Sequence, residues 1–313
     1  DNFKTLIEDK QSKRGPDDFQ MKKVNDNLYF FHNRLSIIDV KNARQPFESS
    51  QGVLVYNGEI YNFRKIKDPQ TSYSLDSDTE VLLKGFDKEG MNFLNKTNSM
   101  FAFGHYNKNS KVVTLARDRI GIKPIYFINN EKYFAFASTI TPLLLFSNKK
   151  VDEVAISEYY MNRSFLAPNT LFKDIKKLEP GTYKEFDTVS DTFSQACKWW
   201  KLNSKKAIID NETNIIKNLD ILLHDSIKER LISDVPVGAY LSGGIDSSLI
   251  CAIASKYKSN LETFTVCFPE SKYDESEYAE EVCKKYNLVH NKLVVNQEDF
   301  VDNLEDWVSE LDD

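Results

Sequence analysis

The fold of the second part of this chain is decided by one short stretch, Tyr240-Leu241-Ser242-Gly243-Gly244-Ile245-Asp246-Ser247-Ser248. The apolar run 237–241 that leads into it predicts a buried strand, and the run 249–257 that follows predicts a helix. A strand, a glycine turn and a helix start in this order form a pocket for an anion. The glycines let backbone N–H groups approach an oxyanion closely, and the first turn of a helix adds unpaired donors and a positive dipole end.

The side chains of this stretch suit a phosphate group. Ser242, Ser247 and Ser248 bring hydroxyl donors, and the carboxylate of Asp246 is able to hold a Mg²⁺ ion against phosphate oxygens. The stretch contains no lysine, so it is not a Walker-A loop. The alternative is a Gly-Gly turn that binds nothing, but the strand before it and the helix after it favour the phosphate site.

Composition and charge describe an ordinary globular chain. Its 313 residues are enough for two domains, and a formal net charge of −6 argues against a broad surface for nucleic acid. No apolar run approaches the length that spans a membrane. The cysteines are far apart and lack metal-binding spacing, which favours buried thiols in a reduced, cytoplasmic setting. They are Cys197, Cys251, Cys267 and Cys283.

The pattern of apolar residues predicts a first domain and a linker. Residues 1–186 carry short β-type runs separated by turn signals such as Asn57-Gly58, and helices are predicted over 79–89 and 154–161. The predicted β-type runs are 28–31, 52–56, 101–106, 112–116, 125–128 and 133–137. This mixture predicts two stacked sheets flanked by helices. Residues 187–212 are polar and irregular, and they predict the linker.

From residue 213 the rhythm changes to alternating helices and strands. A long amphipathic helix comes before the strand of the glycine loop, and further strands are predicted over 263–268 and 289–295 with a helix over 275–286 between them. Such alternation is typical of a parallel sheet. The glycine loop would then lie at the carboxyl end of the first strand, where these sheets bind ligands. A last helix is predicted over 300–311.

Three motifs of the first domain carry groups that suit an amino-acid substrate. Arg34 follows a strand, and a guanidinium there can bind a carboxylate in a bidentate way. The Asn57 side chain and the Gly58 N–H can converge on a developing oxyanion, and Asp78 can bind an ammonium group. Taken singly, each has an ordinary alternative of equal or greater weight: a surface ion pair, a hairpin turn and a helix N-cap.

Together with three further blocks, these motifs occur in the order found in class II glutamine amidotransferase domains, which the first domain resembles. The resemblance implies the N-terminal-nucleophile fold, an αββα sandwich. It implies that Arg34 grips the α-carboxylate of glutamine with help from the Ile37 backbone, and that Asp78 and Glu59 hold the α-ammonium. The blocks are Arg14-Gly15-Pro16-Asp17, Arg34-Leu35-Ser36-Ile37, Asn57-Gly58-Glu59-Ile60-Tyr61-Asn62, Ser77-Asp78-Thr79-Glu80, Met100-Phe101-Ala102-Phe103 and Arg117-Asp118-Arg119-Ile120-Gly121-Ile122-Lys123-Pro124.

The catalytic groups that the resemblance assigns in this chain are Asn57 and Gly58, which would form the oxyanion hole. In the family the nucleophile is an N-terminal cysteine whose own α-amine handles the proton. This chain begins with Asp1, and we expect the domain to lack that cysteine and its first strand. All four cysteines lie in or beyond the predicted linker and cannot replace it.

The Ser-Gly-Gly-Ile-Asp-Ser run of the second domain resembles the pyrophosphate loop of ATP pyrophosphatases, which adenylate a substrate. With the first domain, it makes nearly the whole chain resemble the glutamine-dependent asparagine synthetases. The resemblance implies backbone contacts to adenosine from Tyr240 and Val266, and Mg²⁺ held by Asp246 through the pyrophosphate. It places the rest of the ATP on Ser242, Gly243, Gly244, Asp246, Ser247 and Ser248.

In that family the β-carboxylate of aspartate attacks the α-phosphate of ATP, pyrophosphate leaves, and ammonia released from glutamine displaces AMP. The later family motif Ser-Gly-x-Gly-x-Asp-Glu is not reached, so residues 213–313 are expected to be the start of an incomplete parallel-sheet nucleotide-binding domain. We therefore expect this chain by itself to be inactive in both half-reactions while still able to bind glutamine weakly.

The resemblance leaves the acceptor open. The parent protein would make asparagine from aspartate, or it would amidate another carboxylate, such as a sugar acid of a cell-surface polysaccharide. A third alternative is a non-catalytic homologue that binds glutamine or nucleotide. The expected partners are small molecules in each case, with neither nucleic acid nor a membrane among them, and a homodimer is compatible with the resemblance.

Overall fold

The computed structural model describes residues 2–203, 210–268 and 274–311. By their internal contacts the described residues divide into two compact units, 2–203 and 210–311 without 269–273. Each unit has its own sheets and its own buried apolar clusters. The division falls inside the stretch 187–212 that the sequence predicts to be the linker, part of which, 204–209, lies outside the described residues.

The described strands of the first unit pair antiparallel in sheets of seven, three and two strands. The strands are β1 Asp18–Lys23, β2 Tyr29–Arg34, β3 Phe47–Glu48, β4 Gly52–Ile60, β5 Ser99–Asn107, β6 Val112–Arg117, β7 Tyr126–Asn129, β8 Phe134–Ala137, β9 Ile175–Lys177, β10 Thr182–Asp187, β11 Thr192–Phe193 and β12 Cys197–Lys198. The strand order in the large sheet is β11-β10-β6-β5-β4-β3, and β12 also pairs with β10. The small sheets have the orders β8-β7-β9 and β1-β2.

Helices of the first unit connect and cover these sheets. They are α1 Asn2–Gln11, α2 Phe63–Ile66, α3 Asp78–Glu89 and α4 Glu153–Asn162, with 3₁₀ helices at Gly90–Lys96 and Thr141–Leu145. Ser77 caps α3, because its hydroxyl accepts the Thr79 N–H at 3.2 Å. The predicted helices 79–89 and 154–161 are confirmed by α3 and α4.

The elements of the first unit stack in four layers. The apolar core lies between the large sheet and the small sheets, with Val55 and Leu115 on one side and Phe30 and Phe127 on the other. On the outer face of the large sheet α3 packs through Phe86, whose ring lies 5.2 Å from that of Phe103. On the outer face of β2, α1 packs through Phe3 against Phe31. The predicted αββα sandwich is therefore confirmed.

The predicted turn at Asn57-Gly58 is wrong. Both residues lie inside β4, where Asn57 pairs with Ala102 and Gly58 with Phe101. Asn-Gly favours a turn through local backbone preference, and here the long-range pairing of β4 with β5 overrides that preference. The strands β1 and β10 have no counterpart among the predicted runs, because half-polar sequences such as Asp18–Lys23 give a weak signal for a strand.

The second unit contains a parallel sheet, as the alternating pattern predicts. The described strands β13 Gly238–Tyr240, β14 Glu262–Cys267 and β15 Val289–Val294 pair parallel in chain order. Ile227, Ile253 and Leu261 form part of a buried cluster between the helices and this sheet. The helices are α5 Glu212–Arg230, α6 Ile245–Ala254, α7 Ser276–Tyr286, α8 Gln297–Asp302 and α9 Leu304–Glu310.

Two helix predictions in the second unit need correction. The helix after the glycine loop begins at Ile245 rather than at Leu249, because Gly244 occupies the N-cap position. The predicted helix 300–311 is two short helices, since Asn303, with φ −102 and ψ 5, leaves the helical conformation between them. In the ranges that the structure describes, no helix is both long and apolar enough to cross a membrane.

Candidate functional site

A cavity of about 880 Å³ in the first unit brings together the residues that the sequence predicts for glutamine. It is lined by residues of β2, β4, β5, α3 and the loop that follows β6. Its apolar part includes Phe30, Phe134 and Phe136. Its polar part includes Arg34, Ile37, Asn57, Gly58, Glu59 and Asp78, which come from three separate blocks of sequence.

Gly58 is a glycine because a neighbouring strand leaves no room for a side chain. A Cβ at this position would lie 2.2 Å from the carbonyl oxygen of Met100 and 2.8 Å from Cε2 of Tyr56. The first of these atoms belongs to the backbone of β5 and cannot rotate away. The glycine is therefore required by close strand packing, which the sequence alone did not reveal.

Asp78 is a buried carboxylate at the first position of α3, with 5% of its surface exposed. Its Oδ2 atom accepts the hydroxyl of Tyr56 and the backbone N–H of Ile60, each at 3.0 Å. Burial raises the pKa of Asp78 to about 6, and these hydrogen bonds oppose that rise because they stabilise the ionised form. A negative charge is thus held at the cavity wall.

Glu59 contributes a second carboxyl group to the same wall. Its Oε2 atom is buried and has no hydrogen-bond partner among the described residues. Burial, followed by the nearby charge of Asp78, raises the pKa of Glu59 to about 8, while the charge of Lys123 opposes the rise. At neutral pH the two carboxyl groups therefore hold one proton between them, and a cation placed beside them would favour its release.

Arg34 lines the cavity, as the sequence predicts, and it also holds the loop that follows β2. Its guanidinium, 6% exposed for the whole residue, donates to three backbone carbonyls of the loop that follows β2. The distances are 2.8 Å to Val40, 3.1 Å to Ile38 and 2.9 Å to Asp39. These bonds take three of its five N–H donors, so a substrate carboxylate would have to use the others. Burial lowers the pKa of Arg34.

The block Arg117 to Pro124 forms a tight loop that places Lys123 in the cavity wall. Asp118, 1% exposed, accepts backbone N–H groups from Phe101, Ile120, Ile122 and Lys123. The sequence singled out this block without giving it a role. Its role in the structure is to tie the loop to the strand β5, on which Met100 and Phe101 lie.

The four cysteines are not among the residues that line this cavity. Cys197 is exposed on β12, and Cys251, Cys267 and Cys283 are buried in the second unit. All four are free thiols. A cysteine nucleophile is thus not among the cavity residues that the structure describes.

The glycine loop of the second unit runs from β13 into α6, as the sequence predicts. Ser242 and Ser247 close it, because their hydroxyls lie 3.0 Å apart and that of Ser247 accepts the Ser242 N–H at 3.3 Å. The Ser242 hydroxyl also accepts the Gly244 N–H at 3.3 Å. These hydroxyls thus accept N–H groups that would otherwise be available to bind an incoming anion.

The other predicted ATP contacts surround the same loop. Asp246 lies in the first turn of α6, and the hydroxyl of Ser248 is buried with no hydrogen-bond partner in the described part of the chain. Tyr240 is 88% exposed at the end of β13, and Val266 is exposed on β14. Gly243 has φ +86, a conformation that favours glycine, and a Cβ there would lie 2.7 Å from the Cβ of Tyr278 in α7.

A metal ion at this loop would depend on one protein carboxylate. The described ranges contain no group of three or more His, Cys, Asp or Glu residues placed to hold a metal. Asp246 is suited to a Mg²⁺ ion that arrives with phosphate oxygens and water as its remaining ligands, since Mg²⁺ is commonly bound in that way.

Comparison with known proteins matches both parts of the chain. Residues 3–200 match the family model of the glutamine amidotransferase domain, and residues 218–313 match that of asparagine synthase. The chain is 34% identical to glutamine-hydrolyzing asparagine synthetase 1 of Bacillus subtilis over 297 residues, which are 92% of this chain and 46% of that protein.

Two further relatives give the same result. The identity is 31% over 340 residues to glutamine-hydrolyzing asparagine synthetase 3 of Bacillus subtilis, covering 97% of this chain and 55% of that protein. It is 28% over 318 residues to glutamine-hydrolyzing asparagine synthetase B of Escherichia coli, covering 96% and 52%. The chain thus spans about half the length of the curated relatives it matches.

Proposed function

The chain belongs to the glutamine amidotransferase domain family, and from this premise we propose that its first unit binds glutamine in the cavity beside β4 and α3. The observation that carries the proposal is that Arg34, Asn57, Glu59 and Asp78, predicted from separate blocks of sequence, line one cavity. A chance arrangement of unrelated surface motifs would scatter them over different faces of the unit.

The groups of this cavity match the groups of glutamine. Asp78 and Glu59 supply negative charge for the α-ammonium, and the remaining donors of Arg34 with the Ile37 backbone supply partners for the α-carboxylate. The amide of Asn57 and the N–H of Gly58, which both belong to β4, would polarise the side-chain amide of glutamine. In the family a cysteine attacks that amide, so the proposal for this chain is one of binding and orientation.

For the second unit we propose that the loop from Ser242 to Ser248 binds the phosphates of ATP. A phosphate would replace the serine hydroxyls at the N–H groups of the loop, and it would meet the positive end of α6. Mg²⁺ bound with the nucleotide would neutralise phosphate charge, and Asp246 is the residue suited to hold it.

For the whole protein we propose the ATP-dependent synthesis of asparagine from aspartate, with ammonia released from glutamine. The relatives that match both parts of the chain carry the name asparagine synthetase, which supports aspartate over other carboxylates as the acceptor. In this activity the first unit supplies ammonia and the second activates the carboxylate by adenylation.

Calorimetric titration of this chain with L-glutamine at pH 8 tests the proposal for the first unit. We expect saturable binding that Asp78→Asn weakens at least about tenfold, because a buried charged contact to an ammonium contributes on the order of 2 kcal/mol. The matched control is Asp187→Asn, at a surface turn where Asp187 accepts the N–H groups of Val189 and Ser190. Absence of binding, or an equal effect of both variants, would contradict the proposal.

A further inference from the structure

We propose that Tyr56 is a positioning residue of the ammonium subsite: its hydroxyl holds the Asp78 carboxylate in place and keeps it ionised, so that it recognises the α-ammonium of the amino-acid substrate. The inference rests on the proposed binding of glutamine to this cavity. Tyr56 belongs to none of the motif blocks in the sequence; it lines the cavity, and its hydroxyl donates to Asp78.

The bond joins two buried groups. Tyr56 is 4% exposed and Asp78 is 5% exposed, and the hydroxyl lies 3.0 Å from Oδ2. The same oxygen accepts the Ile60 N–H, so one carboxylate oxygen is fixed from two directions by β4. A carboxylate held in this way loses little further freedom when a cation binds beside it, which favours binding.

Two neighbouring residues, Gln45 and Gly58, hold Tyr56 in this position. The side-chain amide of Gln45, itself 7% exposed, accepts the Tyr56 N–H at 2.7 Å and donates to the Tyr56 carbonyl at 3.1 Å. Gly58, two residues further along β4, leaves room for the ring, because a Cβ there would lie 2.8 Å from Cε2 of Tyr56. The glycine of the Asn-Gly motif thus admits the tyrosine ring that reaches Asp78.

The hydroxyl of Tyr56 favours the ionised form of Asp78. Burial raises the pKa of Asp78, and the bonds from Ile60 and Tyr56 oppose this rise. Tyr56 itself stays neutral and remains a donor, since burial and the charge of Asp78 raise its pKa well above the usual range. Of the other charged and titratable groups near the pair, Glu59 repels an ionised Asp78 and Lys123 acts on Glu59. Loss of the hydroxyl therefore favours protonation of Asp78.

The test is to compare binding of two ligands to Tyr56→Phe. One ligand is L-glutamine, and the other is 4-carbamoylbutanoate, which keeps the carboxylate and the amide of glutamine but has no α-ammonium. We expect Tyr56→Phe to weaken glutamine binding at pH 7 about tenfold and to leave binding of the analogue unchanged. A role in packing alone would weaken both ligands equally.

Tyr106→Phe is the matched control, because Tyr106 is a buried tyrosine of the neighbouring strand β5 and is 2% exposed. It should bind both ligands as the unchanged chain does. A second measurement needs no ligand: carbon-13 NMR of the Asp78 carboxyl should give a higher pKa in Tyr56→Phe than in Tyr106→Phe.

The outcomes separate the inference from the function on which it rests. If the unchanged chain does not bind glutamine, the proposed function fails and this inference fails with it. If glutamine binds but Tyr56→Phe weakens both ligands equally, or leaves glutamine binding and the pKa of Asp78 unchanged, the role of Tyr56 is overturned while the proposed function stands.

Discussion

The carboxylate of Asp118 accepts the backbone N–H of Lys123 at 2.9 Å, and through this bond a loop residue is fixed in the wall of the candidate glutamine cavity. The same carboxylate accepts the N–H of Phe101 on β5 and two further N–H groups of the loop. One buried carboxylate thus serves as the acceptor for N–H groups of β5 and of the loop after β6 that have no backbone acceptor.

Replacing Asp118 by alanine should destabilise the first unit by about 3 kcal/mol or more, because several N–H groups around a carboxylate that is 1% exposed would lose their acceptor. Urea unfolding followed by tyrosine and tryptophan fluorescence measures the change. Asp187→Ala is the control, since Asp187 also accepts two N–H groups but does so at an exposed turn. Equal transition midpoints for the two variants would contradict the role given to Asp118.

Gly58→Ala should destabilise the first unit by about 3 kcal/mol, the upper end of the range for overpacking, because the new Cβ meets a backbone carbonyl at 2.2 Å. The control is Gly244→Ala, where the nearest atom to a new Cβ is the Ser242 hydroxyl at 3.4 Å, an ordinary contact. Thermal unfolding of both variants compares them. A Gly58→Ala protein as stable as the unchanged chain would show that β4 and β5 are less tightly packed than the structure indicates.

The contribution of Glu59 and Asp78 to the unfolding free energy should fall as the pH rises from about 4 to about 8. Burial raises the pKa of Glu59 to about 8 and that of Asp78 to about 6, so the folded chain binds these protons more tightly than the unfolded chain does. Their stabilising effect is complete at low pH and is lost as the pH rises through the folded-state pKa values.

Glu59→Gln removes the larger of these two effects. This variant should therefore be more stable than the unchanged chain at pH 8.5, by an amount on the order of 3 kcal/mol, with little difference at pH 4.5. Glu185→Gln, on the exposed face of β10, is the control and should follow the unchanged chain at both pH values. Chemical unfolding at the two pH values measures the difference, and a constant difference between Glu59→Gln and the unchanged chain would refute the assignment.

Gly243→Ala should abolish nucleotide binding to the second unit. The backbone at Gly243 has φ +86, and a Cβ there would also lie 2.9 Å from the backbone nitrogen of Ala279 in α7, so the loop would have to move. Titration with Mg²⁺-ATP, followed by phosphorus NMR, measures binding at millimolar nucleotide. Gly90→Ala, at the end of α3 in the first unit, is a control because it also places alanine at a positive φ, +59, away from the loop. Retained nucleotide binding in Gly243→Ala would contradict the loop assignment.

Local sequence patterns were sufficient to predict many elements of both units. Apolar alternation located β4, β5 and β6, and helical periodicity located α3 and α7, because each of these signals comes from residues within a few positions of one another. The glycine loop was predicted on the same basis: a strand, two glycines and a helix start suffice to define it. The division between the domains and the roles of the site residues remain predictions.

Tertiary structure decided what depends on residues far apart in sequence. Asn57 and Gly58 carry a local preference for a turn, but pairing with β5, some 45 residues further on, keeps them in a strand. Arg34 gripping a substrate carboxylate stays a prediction, and only the folded chain shows that the loop carbonyls of Ile38, Asp39 and Val40 take three of its donors. Neither outcome is visible in sequence patterns, which report conformational preference and not the partners that packing brings within reach.

The sequence by itself determined the types of chemical group present: carboxylates, a guanidinium, an Asn-Gly pair and a phosphate-type loop, in an order shared with a known family. The resemblance pairs Glu59 with Asp78, but only the folded chain shows that burial raises the pKa of both and that the Tyr56 hydroxyl reaches the Asp78 carboxylate. The physical reason is that ionisation and hydrogen bonding depend on burial and on distances of a few ångströms between side chains. These residues are some twenty positions apart in sequence, so the packing of β4 against α3 sets both their burial and their distances.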